Sequence, residues 1–159
     1  MAFEDVIDSA TPLERGLVNQ RPRLFLTPAH LSFLRTAIDR EPYDGFFHQV
    51  RSFADSRMTS VLPDWTKGDV RGHGCVLPHL SLMFLLTDDQ RYRDRALDMV
   101  RAAAKTGNPG LTGGHLLAGM AITYDWLYSS LGATERTVIE DALMNIGTHT
   151  FEDLALFKR

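Results

Sequence analysis

Three stretches of the sequence hold residues whose types and spacing suit chemistry. The first is RGHGCVLPH, Arg71 to His79. His73, Cys75 and His79 are metal-ligand types, but His-x-Cys-x3-His stands without a second ligand cluster, so no metal site is assigned. The Gly-rich loop read over Leu62 to Gly74 adds Trp65 as a stacking platform and Arg71 as a two-pronged carboxylate grip, with His73 beside them. The second stretch is TGNPGLTGGH, where Asn108 and His115 flank a turn. Its glycines lack the Lys-Ser/Thr pair of a phosphate loop. The third is GGHLLAGMAITYDWLYSSL, Gly113 to Leu131, which embeds an acid and three aromatic rings in an apolar run. Asp125 is its chemical anomaly, because a carboxylate in such a run needs a partner or a wet cleft. The candidate binding residues are therefore Trp65, Arg71, His73, Asn108, His115 and Asp125. No Ser/His/Asp or Cys/His constellation emerges, and Cys75 sits in an apolar context that suits an inert thiol.

The elements that must position these residues read as helices. LTPAHLSFLRTAIDREP has Thr27 as N-cap and Pro28 at the first helical position. Leu31, Leu34 and Ile38 share its apolar face, with Phe33 and Arg35 turned away. A second helix is expected from about Tyr43 to Met58, with Phe46, Phe47, Val50, Phe53 and Ala54 inward. An apolar helix follows over roughly Val76 to Leu86. TDDQ breaks it and caps another, Arg91 to Lys105, with Tyr92, Ala96, Leu97 and Val100 as the inner stripe. The third chemical stretch reads as an interior helix in which Tyr and Trp supply core area. An amphipathic helix spans about Glu135 to Ile146, and Thr150 is expected to cap one more. The charge-rich starts DDQRYRDR and TERTVIED read as solvated faces.

The repeated layout, an apolar helix, a polar break and an amphipathic helix with Ala-Leu near its middle (Ala96-Leu97, Ala142-Leu143), predicts an all-α array of helical hairpins. No stretch alternates as a strand does. The chain has 159 residues, a net charge of −3 and a 44% apolar fraction. These values fit one globular domain and give no reason to expect a nucleic-acid or membrane partner. The single cysteine excludes an internal disulfide. No secretory h-region is visible, so the chain as written reads as unexported. Residues 1–22 read as an arm or linker and 23–159 as the domain. Phe151, Leu154 and Leu156 call for a partner, and no capping unit follows them, so the sequence is expected to be a piece of a longer protein.

Three segments, RPRLFLTPAHLSFLRTAI, LMFLLTDDQRYRDRALDMVRA and HLLAGMAITYDWLYSSLGATERTVIEDAL, occur in an order and spacing that resembles the N-terminal α/α-toroid of heparinase II/III-like polysaccharide lyases, a group including many exolytic alginate lyases. The resemblance covers roughly Arg21 to Ile146. It implies part of an incomplete (α/α) toroid, with the remaining toroid and a C-terminal β-sandwich elsewhere in the full protein. It also implies an acidic, uronate-containing glycan as partner and cofactor-free cleavage by β-elimination. A Tyr, often with a His, moves the C5 proton while an Asn or His neutralises the uronate carboxylate. Relatives of this kind are often periplasmic. The sequence holds no NNW or NHN segment, so no catalytic residue is carried over. Two other readings stand beside it. One is an α/α-barrel enzyme of the unsaturated-glucuronyl hydrolase type, for which Asp125 is the candidate acid. The other is a non-enzymatic helical-repeat binding module.

Overall fold

The computed structural model describes residues 20–62, 71–105 and 112–156. Trp65 and Asn108 lie outside them. Six α-helices follow in order: α1 Pro28–Ala37, α2 Tyr43–Met58, α3 Arg71–Thr87, α4 Gln90–Ala103, α5 Gly113–Leu127 and α6 Ala133–Leu156. A short 3-10 turn, Tyr128–Ser130, joins α5 to the last of them. No strand occurs among the described residues, and the fold is an all-α arrangement of helical hairpins. None of these helices is long and apolar enough to cross a membrane.

The centre of the molecule is a parallel pair, α3 beside α5. Gly74 near the start of α3 faces His115 and Gly119, while Ser81 one stage further along bonds Thr123. The two helices run side by side because glycine permits it. A Cβ at Gly74 or at Gly119 would lie under 3.0 Å from backbone atoms of the other helix. Around this contact Leu77, Leu80, Met83, Leu116, Met120 and Leu127 are fully buried. Ser81 and Thr123 share the same dry interface. Ser81 Oγ donates to Thr123 Oγ1 and to the Leu77 carbonyl, so its hydroxyl is satisfied rather than stranded.

Each central helix carries an antiparallel companion. At the α3–α4 corner Thr87 ends the first helix and Asp88 takes φ 56. Asp89 caps the second by accepting from the Arg91 N–H, as TDDQ predicts. Tyr92, Ala96, Leu97 and Val100 of α4 are all buried, the expected stripe. On α6 Ile139, Ala142 and Ile146 are buried, the last two corresponding to Ala96 and Val100. The repeat seen in the sequence is thus a repeat of packing faces.

Three expectations are corrected. Arg71 to Gly74 form the first turn of α3, not a loop. Pro78 lies inside the same helix. Phe46 is 66% exposed, because the stripe that meets α3 is Phe47, Val50 and Ala54 at i, i+3 and i+7, with Phe46 on its flank. Thr150 does not cap a new helix. It is buried within a continuous α6 of 24 residues, since the single Gly147 costs only about 1 kcal/mol, too little to break a helix packed along its length.

Candidate functional site

Asp125 is where an acid on an apolar helix had to find a partner, and the structure supplies one from the start of the chain. Its carboxylate is 1% exposed. Oδ1 accepts from Arg21 Nη1 at 2.5 Å, and Oδ2 accepts from the backbone N–H groups of Arg23 at 2.7 Å and Leu24 at 2.9 Å. Arg23 Nε lies 3.7 Å from Oδ1. A carboxylate holding one guanidinium and two amide donors is well satisfied, which is how a charge persists in so buried a place. Asp125 thus clamps the entry segment onto α5, and among the described residues its two oxygens accept from one guanidinium and two backbone amides.

The flanking aromatics complete the clamp. Arg21 lies over the Tyr128 ring at 4.6 Å and near Tyr124 at 5.8 Å, and those two rings meet edge-to-face at 5.4 Å. Arg136 covers Tyr128 at 4.0 Å, and its Nη2 donates to the Tyr128 carbonyl. Trp126 Nε1 donates to the Leu24 carbonyl at 2.8 Å. The Tyr124 hydroxyl donates to Glu140. Burial and that bond push its pKa up to about 12, so this phenol stays protonated and is a poor base. Beyond the clamp, Phe25 turns through φ 59 while 87% exposed, and Leu26 re-enters the core. Arg21 and Pro22, read from sequence as the end of the arm, are thus tied into the domain.

The remaining candidates gather at one end of the central pair. Because α3 and α5 are parallel and Gly74 meets His115, the first turns that carry Arg71, His73 and His115 lie at the same end. Arg71 and His115 are exposed and His73 is half-buried. His79 points elsewhere: its Nδ1 bonds the Cys75 carbonyl at 2.7 Å, and its ring packs on Phe53 at 4.6 Å. Among the described residues no three His, Cys, Asp or Glu side chains converge as a metal site.

One polar connection escaped the sequence. The charge-rich helix starts are not merely solvated, because Arg93 and Glu135 meet across the hairpins at 2.7 Å, with Arg93 also donating to the Ser130 carbonyl at 2.8 Å. Burial raises the Glu135 pKa. The Gly132 N–H and the guanidinium groups of Arg93 and Arg101 outweigh that effect, and the net shift is downward. Charge-rich starts on two successive amphipathic helices were the signal, but nothing in the sequence pairs Arg93 with Glu135. No family model matches the chain, and no curated protein matches it.

Proposed function

We propose that this chain is the N-terminal toroid segment of a polysaccharide lyase that cleaves uronate-containing glycans, heparan-like or alginate-like, by β-elimination. One observation supports the reading. The three segments that carry the resemblance lock together pairwise through arginines. Arg35 of the first donates to the Leu85 carbonyl and to Asp88 of the second, each at 2.8 Å. Arg93 of the second holds Ser130 and Glu135 of the third. Arg21 of the first closes the ring on Asp125 of the third. Residues engaged in mutual contacts are tied in type and spacing, so their joint occurrence points to a shared scaffold.

On this reading the chain contributes scaffold and groove. Arg71, His73 and His115 at the shared end of α3 and α5 are the groups that would meet the acidic glycan. The proton-moving Tyr and the carboxylate-neutralising Asn or His belong to segments that this sequence does not contain. Asp125, the acid a glucuronyl-hydrolase reading would use, is held by Arg21. The test is to incubate this chain, and any longer product of its gene, with alginate, heparan sulfate and hyaluronan while following absorbance of the 4,5-unsaturated product. Lyase activity in the longer product alone is expected. Hydrolysis of an unsaturated disaccharide with no lyase signal would sink the reading.

A further inference from the structure

A depression of about 250 Å³ opens between the C-terminal end of α2, the first turn of α3 and the flank of α4. Its apolar lining is Val61, 93% exposed, with Val76 and Met99 buried beneath at 4% and 3%. Its wall is polar and cationic, with Arg57, Ser60 and His73. No acidic side chain lines it among the described residues. Of the described carboxylates on the same helices, Asp55 bonds Tyr92 and pairs with Arg51, and Asp98 pairs with Arg101. Arg57 lies over the Phe53 ring at 5.1 Å and makes no ion pair among the described residues. A second cation fixes this wall from behind. Arg95 donates from Nε to the Arg57 carbonyl at 3.0 Å and from Nη2 to Ser60 Oγ at 3.1 Å. At Gly72, which lines the depression, nothing stands within 4 Å of where a Cβ would be.

From this placement we infer that the depression is a binding site for one acidic sugar ring, its carboxylate held by Arg57 and its apolar face set against Val61. A guanidinium presents paired N–H donors to a carboxylate, and an exposed apolar side chain suits the C–H face of a sugar, while Ser60 Oγ, which donates to the Arg57 carbonyl and accepts from Arg95, helps fix the wall. The volume suits a single ring rather than a chain of them. Arg57 was not among the residues singled out from the sequence, because only folding brings the end of α2 against the start of α3.

The identity of the sugar rests on the acidic-glycan reading above, and the two can fail separately. Isotope-labelled chain is titrated with glucuronate, glucose and inorganic sulfate, following backbone amide resonances. Glucuronate is expected to shift Ser60, Gly72 and His73 saturably, with glucose at least tenfold weaker. Arg57→Gln retains much of the stem over Phe53 and should weaken glucuronate on the order of tenfold or more without changing the helical signal. Arg57→Ala should do the same. Unchanged affinity in both variants, or no saturable shift in the wild type, overturns the site. Sulfate binding as tightly as glucuronate overturns the sugar assignment. Saturable glucuronate binding together with absent lyase activity in the longer product would remove the lyase reading and keep the site. Lyase activity and glucuronate affinity undiminished by Arg57→Gln would do the reverse.

Discussion

Asp125 concentrates the question posed by its helix. An acid amid apolar and aromatic residues of an interior helix needs either a partner or a wet cleft. The donors around it decide for the partner. Asp125→Asn should lower stability by about 2 to 3 kcal/mol, since it leaves Arg21 opposite a neutral amide in a part-buried place. Urea denaturation measures this, and Arg21→Ala combined with it should be less than additive. Glycan binding per folded molecule should not change. A variant of full stability with weakened binding would restore Asp125 to the substrate groove. The sequence showed that this carboxylate required a partner. It could not name Arg21, which lies 104 residues away.

At the scale of elements, the contact of α3 with α5 depends on two glycines that sequence reading had treated as loop or filler. Gly74 was placed in a loop, and Gly119 was not singled out within its apolar run. Both are required because each backbone occupies the space a facing Cβ would need. Gly119→Ala must push the central helices apart, and a cost of about 2 to 3 kcal/mol is expected from overpacking. Gly114, one turn earlier on the same helix, has nothing within 4 Å of an added Cβ. Gly114→Ala should therefore stabilise by roughly 0.5 kcal/mol through reduced freedom of the unfolded chain. Comparing the two thermal midpoints checks both. Equal behaviour would show that the close approach is not what sets the spacing of the helices.

For the molecule as a whole, the arginine links decide how the hairpins sit on one another. Glu135 receives Arg93 and Arg101 from α4 and the Gly132 N–H from its own turn. Its folded pKa lies below the usual 4.5. The folded state therefore favours the ionised form, and that contribution is present above the unfolded pKa. It is lost as pH falls through the folded pKa, where both states bind the proton. Wild-type stability should fall relative to Glu135→Gln as the pH is taken below about 4.5, the ordinary value for a free glutamate. Denaturation curves at several acidic pH values test this, and parallel pH profiles for the two proteins would show that the link contributes nothing.

What the sequence determined by itself was local. Periodicity, caps and turn residues specified the helices in outline, the α4 stripe and the hairpin repeat, because each depends on residues within a few turns of one another. The extension of α3 back to Arg71 and of α6 through Thr150 escaped it, because glycine and proline weaken a helix locally while tertiary packing can sustain it. Only the tertiary structure decided the Gly74–Gly119 approach, the partner of Asp125, the meeting of Arg93 with Glu135 and the assembly of Arg57 with His73. Each joins groups far apart in the chain. Their proximity follows from how whole helices pack, which no short window of residues encodes.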